Sequence, residues 1–189
     1  MLLSPLQHLA AALDFHLRCR LALSEAVVVA APPRELDGGV PAGIGNKLIV
    51  FLADISIEPQ RKALPSALRQ PQGGSAEFLM VCAASFVAAN YADGIKLLTV
   101  AMDFLEQNPV FTQDAPPGVA TPVLPVAETQ PLHQGKPPQL DPGIARVSVE
   151  PAALSLSESQ ALWSLHGGSY LPSMVYRVRV TAAEPALTP

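Results

Sequence analysis

Phe78-Leu79-Met80-Val81-Cys82-Ala83-Ala84-Ser85-Phe86 is apolar at almost every position, and after it Tyr91, Ile95, Leu98, Met102 and Leu105 recur at helical spacing. A short apolar run without polar alternation is the pattern of a central strand covered on both faces. The period of 3.6 residues that follows predicts a helix whose apolar stripe packs on that strand. Asn90 is placed to cap this helix, Asp93 to complement the positive end of its dipole, and Pro109 to stop it. A buried strand followed by a packed helix sets an α+β architecture.

Working towards the N-terminus, Lys47 to Glu58 predicts a second strand. Leu48 to Ala53 is a continuous apolar run, and Ile55 and Ile57 then alternate with Asp54, Ser56 and Glu58, so the strand is buried on both faces at its start and half-exposed later. Pro32 to Asn46 is a turn-rich loop, and Val27-Val28-Val29 ahead of it a short strand. Ser4-Pro5 is a helix-start signal, and Leu6, Leu9, Ala10, Leu13 and Leu17 form the stripe of a helix running to about Leu23.

Towards the C-terminus, Pro59 to Ser75 is a surface connection, and nine of the twenty prolines fall between Pro109 and Pro142. That density removes amide donors and leaves no apolar period, which predicts an extended, mobile arm with Gln113 to Gln134 as its core. Ala145, Val147 and Val149 then alternate with Arg146, Ser148 and Glu150 as a half-buried strand. Ser157 and Gln160 are spaced as a capping box for a short helix through Trp163, ended by Gly167-Gly168. Met174, Tyr176, Val178 and Val180 alternate with Arg177, Arg179 and Thr181 in a last strand with one wet face. The expected fold is α+β, a single mixed sheet of four to five strands flanked by three helices. One domain spans residues 1–182, with a proline-rich insertion at about 113–143 and a flexible tail at 183–189.

Composition narrows the function classes. The chain has 189 residues, 49% hydrophobic and only 15% charged, with a formal charge of -4. The charged share is well under the ~25% of an ordinary soluble domain, which suggests a surface that meets other protein. The charge offers no footprint for nucleic acid, and no basic stripe for a membrane surface. Phe78 to Ala89 is the longest nearly uncharged apolar run, too short to span a bilayer. The first residues lack the basic start of a signal peptide, so folding and assembly in the cytoplasm are expected. Cys19 and Cys82 stand far apart, which fits reduced thiols.

Chemical motifs are sparse. His16 and Cys19 share a helix face, but two ligands do not make a metal site. The glycine-rich stretch Gly38 to Lys47 precedes a strand and has no Ser or Thr after its lysine, so it is not a phosphate loop. His166 lies at a helix end, where the dipole favours an imidazolium and a capping role. Ser155, Ser157 and Ser159 lack a nucleophile context, and Glu150 and Glu158, an available acid–base pair, fall on exposed positions. Trp163, Tyr170 and Tyr176 could form an aromatic patch, although Trp163 and Tyr176 are better used in the core. No catalytic, cofactor-binding or metal-binding residue is assigned, and the chain is expected not to be an enzyme.

Four strings, in this order and spacing, resemble a known family: Asn46-Lys47-Leu48-Ile49-Val50; Phe86-Val87-Ala88-Ala89-Asn90-Tyr91; Phe104-Leu105-Glu106-Gln107-Asn108-Pro109-Val110-Phe111-Thr112; and Leu162 to Ser173 with the strand after it. They resemble the tube-terminator (cap) proteins of extracellular contractile injection systems, the antifeeding-prophage-like particles, which are similar to the tail terminators of contractile phages. The resemblance covers roughly Leu3 to Ala182 and departs from the family at Gln113 to Gln134, which is longer and richer in proline. It implies a tail-terminator-like fold and a structural cap, a six-fold ring of this chain on the last tube layer that stops elongation and joins tube to sheath. Tube protein, sheath protein and further copies of the chain are the implied partners, with no cofactor, within a particle that can be released from the cell. The family-motif and candidate interface residues are Asn90, Tyr91, Phe111, Trp163, Tyr170, Pro172, Arg177 and Arg179. Alternatives are a baseplate or tube-initiating component of the same particle, or a small-ligand module or enzyme with an unrecognised site.

Overall fold

A computed structural model describes residues 2–56, 75–113 and 137–183. The elements run α1 (Leu3–Leu21), β1 (Val28–Ala30), β2 (Lys47–Ser56), β3 (Ser75–Ser85), α2 (Tyr91–Gln107), β4 (Val110–Thr112), β5 (Ile144–Pro151), α3 (Leu156–Leu165) and β6 (Ser173–Ala182), with a 3-10 turn at Ala88–Asn90. Six strands form one mixed sheet in the order β1-β2-β3-β6-β5-β4. Among the described residues β1 and β2 pair in parallel and every other neighbour is antiparallel. The α+β class and the mixed sheet with three helices are those expected, with more strands than the sequence predicted. The extra strand is β4, whose three residues are too few to show a period.

β3 is central, as its unbroken apolar run predicts. Phe78, Met80, Cys82 and Ala84 face α1 and α2, together with Leu48 and Val50 of β2 and Tyr176, Val178 and Val180 of β6. Val81 and Ala83 face the other way and join Ile49, Phe51, Ile44 and Trp163 in a second cluster under α3. The central strands are thus sandwiched, and Cys82 lies in the first core, where burial pushes its thiol up to about 12.

α1 buries the predicted Leu6, Leu9, Ala10, Leu13 and Leu17. Ser4 does not cap it: Leu2 holds the N-cap position, and the Ser4 hydroxyl donates instead to Asp141 Oδ2 at 2.9 Å. The helix ends at Leu21 with Ala22 in the left-handed region at φ 52°, where the Leu23 amide closes back on the Arg18 carbonyl at 3.0 Å. Asp14 then fixes the route into the sheet, accepting from the amides of Val27 and Val28 at 2.7 and 3.0 Å and pairing with Arg18 at 3.3 Å.

Four local expectations need correction. The α2 stripe is Gly94, Leu97, Leu98, Ala101, Phe104 and Leu105, leaving Tyr91 exposed and Ile95 and Met102 half-buried. The helix is turned because Gly94 lies against the Phe86 ring, allowing an approach that a side chain would prevent. Asn90 occupies the N-cap but its side chain makes no capping bond; the preceding 3-10 turn gives it a φ of -109° and ψ of 15°, outside the extended geometry that capping requires. The α3 capping box is Ser155 with Glu158, not Ser157 with Gln160: the Glu158 amide donates to Ser155 Oγ at 3.3 Å and the Ser155 amide to Glu158 Oε2 at 2.8 Å.

The fourth correction concerns strand irregularities. Register shifts between Ile144 and Arg146 and between Leu52 and Asp54 leave Ala145 exposed, with Ile144 buried in its place, and leave Ile55 49% exposed. Ile57 and Glu58, the connection from Pro59, the core of the proline-rich segment and the tail from 184 lie outside the described residues.

The contact at Gly94 yields a test. Alanine favours a helix interior over glycine by up to ~1 kcal/mol, but its Cβ would stand 2.8 Å from Phe86 Cγ and Cδ2. Overpacking of that kind costs about 1–3 kcal/mol, so Gly94→Ala is expected to lower the melting temperature. A higher melting temperature would show the Phe86 ring free to move aside.

Candidate functional site

The two ends of the sheet differ in how the chain turns. At one end β3 finishes while β2 and β6 begin: Ser85 pairs with Lys47 and Ala83 with Ser173, and the Ala84 amide donates to the Pro172 carbonyl at 2.8 Å. The β3–α2 and α3–β6 connections here are short and carry exposed apolar side chains. Val87 and Tyr91 are 55% and 54% exposed on either side of the 3-10 turn, whose Ala88 and Ala89 are exposed too. Asn46, in the left-handed region at φ 54°, accepts from the Val87 amide at 3.4 Å and ties this knuckle to the start of β2.

Across the same end lies the α3–β6 turn. Gly167 and Gly168 adopt φ of 78° and 72°, a region that side chains disfavour, and the Gly168 amide returns to the Trp163 carbonyl at 2.9 Å. The reversal lays Tyr170 edge-on over Trp163, ring centroids 5.8 Å apart, with Tyr170 itself 65% exposed. Arg34 from the long loop donates to the Ser169 hydroxyl and holds the turn from the other side. Trp163 is buried against Phe51 and His166, its indole N–H without a partner among the described residues.

The structure therefore gathers Asn90, Tyr91, Tyr170 and Pro172 at one end of the sheet, with Trp163 as the floor beneath Tyr170. Phe111 does not join them. It is 1% exposed in the first core, packed on Phe104 and the edge of His8, so its place in the motif is structural. Arg177 and Arg179 lie further along β6 on its open face, where both reach Glu77 of β3, at 3.2 and 3.0 Å. Glu77 accepts both guanidiniums, and Glu150 of β5 stands opposite Arg177 in the register; such exposed pairs contribute about 0–1 kcal/mol to stability. Val87 was missed as a surface residue because it sits in an apolar string that looks like strand; only the 3-10 turn puts it outside.

The titratable candidates are occupied structurally. His166 packs on Phe51 at 5.1 Å, and burial lowers its pKa, so the imidazolium expected from the helix dipole is disfavoured. The His16 ring lies against Phe104 at 4.4 Å, its pKa lowered by burial and by the Arg20 charge. Glu158 is held below the usual carboxylate range by bonds from the Ser155 hydroxyl and amide, which suits a helix cap rather than a proton donor. Among the described residues no group of three or more His, Cys, Asp or Glu could hold a metal, and no helix is long and apolar enough to cross a membrane.

Trp163→Ala removes the floor of the apolar end and should cost about 3–5 kcal/mol. Native tryptophan emission is expected to be blue-shifted and to move red on unfolding; emission already typical of water would contradict the burial described. Residues 6–189 match the family model described as the Pvc16 N-terminal domain. No curated protein matches the chain.

Proposed function

Since the chain belongs to the Pvc16 N-terminal domain family, associated with phage-tail-like contractile injection systems, we propose that this structural component is the cap that terminates the particle's tube and sheath. The observation that carries this reading is the family match over residues 6–189. The finer assignment, a terminator acting as a six-fold ring, rests on the four motif strings and on what a cap must do physically.

A closed ring needs two different lateral patches, because each subunit meets its neighbours head to tail, and a third surface for the tube end. The apolar end of the sheet supports a docking role. Val87, Tyr91 and Tyr170 present apolar and aromatic area on short, well-anchored turns, and aromatic side chains are favoured at the buried centre of protein interfaces. In this reading that end seats on the tube, and the exposed β6 face with Arg177 and Arg179 meets a neighbouring protein. No catalytic step and no cofactor are assigned.

Deleting the gene in a producing strain and imaging the particles tests the reading. Tubes of uncontrolled length or detached sheaths are expected, with labelled protein at the baseplate-distal end of wild-type particles. Normal length and sheath attachment without the protein would overturn it, and label at the baseplate end would favour a baseplate or tube-initiating component. The docking surface has its own test. Val87→Ser with Tyr91→Ser should change folding stability by only about 0.5 kcal/mol per site, as exposed substitutions do, yet abolish incorporation into particles. Normal incorporation would remove this end from the interface.

A further inference from the structure

His8 is the buried polar side chain of the described residues, 6% exposed; neither ring nitrogen has a partner at full hydrogen-bond geometry, and the Gln139 backbone of the strap is the polar group beside the ring. Its ring meets Phe111 of β4 edge-on, centroids 5.8 Å apart at 83°. It lies on α1 beside the strap 139–144, which enters β5, and β4 leads out towards Gln113. Three contacts hold this neck closed. The Gln113 side-chain amide donates to the carbonyls of Pro142 and Ile144 at 2.9 and 3.1 Å. Ser4, one turn before His8, donates to Asp141. Leu140 and Ile144 are buried in the first core.

We propose that His8 is a pH-operated latch on this neck: when its ring takes up a proton, β4 and the strap 139–144 release from α1. A neutral imidazole fits an apolar site poorly when unpartnered, and an imidazolium there fits far worse. Protonation therefore requires either the ring to leave or water to enter. α1 cannot yield easily, because Leu6, Leu9, Leu13 and Leu17 anchor it in the core. β4 pairs through three residues at the sheet edge, and ahead of Ile144 the strap joins the sheet through one backbone bond, from the Ala183 amide to the Gly143 carbonyl, so the neck is the weaker partner.

Among the described residues the surrounding charges do not rescue the cation. From Leu3 to Ala12, α1 carries no acid or base besides His8 itself, and β4 carries none. On the strap Asp141 is the one charged side chain. Its two oxygens already accept from Ser4 and from the Gly143 amide, which hold it ionised, and it is open to solvent. On α2, reached through Phe104, Asp103 and Glu106 are exposed. Burial accordingly lowers the His8 pKa from 6.5, opposed only in part by the nearby Gln139 backbone. The folded state favours the neutral ring, so closure is fully supported above pH 6.5 and lost as pH falls through the window below it.

Hydrogen exchange on the full chain, corrected for intrinsic rates and followed from pH 7.5 to 5, tests the latch. Exchange at residues 110–113 and 139–146 should rise by up to about tenfold per pH unit below 6.5, while the amides of β3 and α2 stay protected. His8→Phe keeps an aromatic ring in the site and should abolish the rise; His16→Phe should leave it intact. A rise that persists in His8→Phe, or one spread evenly over the core, would overturn the proposal. Should His8→Phe fail to fold, the wild-type ring can be titrated by NMR, where a pKa at or above the ordinary value would overturn it equally.

Discussion

The burial of β2 and β3 on both faces is the constraint from which the rest of the molecule follows. With apolar side chains pointing both ways, neither face of the central pair tolerates water, so helices must cover both: α1 and α2 on the Met80–Cys82 face, α3 on the Val81–Ala83 face. Two-sided burial also removes the polarity that ordinarily fixes strand register. The information comes from the neighbouring strand. In β6, Tyr176, Val178 and Val180 are buried while Arg177 and Arg179 are exposed, and Arg179 stands directly opposite Glu77. A slip of one residue would drive two arginines into the core, a cost far above the small net contribution of the surface ion pairs themselves.

This arrangement gives the sheet two unlike ends. Where β3 passes into α2 and α3 into β6, the chain turns tightly, the first turn tied to left-handed Asn46 ahead of β2 and the second carrying left-handed Gly167 and Gly168, and apolar side chains reach the surface on rigid supports. At the opposite end, where β2 and β6 finish and β3 and β5 begin, the neck around Gln113 and Asp141 is held by side-chain hydrogen bonds. An assembly component benefits from that division. One end offers preformed contact area at low entropic cost, and the other is where local opening is cheapest.

Elements with a long period were legible in the sequence. The α1 stripe from Leu6 to Leu17, the run of β3 and the alternation of β6 were all readable, because burial on a helix or strand imposes a pattern that many residues repeat. Single-residue choices were not. Ser155, Ser157 and Ser159 offer two capping boxes of equal quality, Ser155 with Glu158 and Ser157 with Gln160. The choice falls to the first because β5 ends at Pro151 and the Ala152 amide bonds to the Val175 carbonyl, which fixes where the chain can turn into α3. The α2 stripe turned by about one position for a similar reason, the Phe86 ring against Gly94, a contact between residues whose approach no local pattern records.

The sequence by itself determined the α+β class, the buried central strand, the helical stripes and the charge-poor surface, since each follows from composition or period along the chain. Only the tertiary structure decided that Tyr91, Tyr170 and Pro172 share one end of the sheet, that Phe111 is core, that Glu77 sits between Arg177 and Arg179, and that His8 is buried under the neck. These are contacts between residues far apart in the chain. They depend on strand order and register, which are set by how two-sided apolar strands and their helices close over one another, and neither is written in any local stretch of residues.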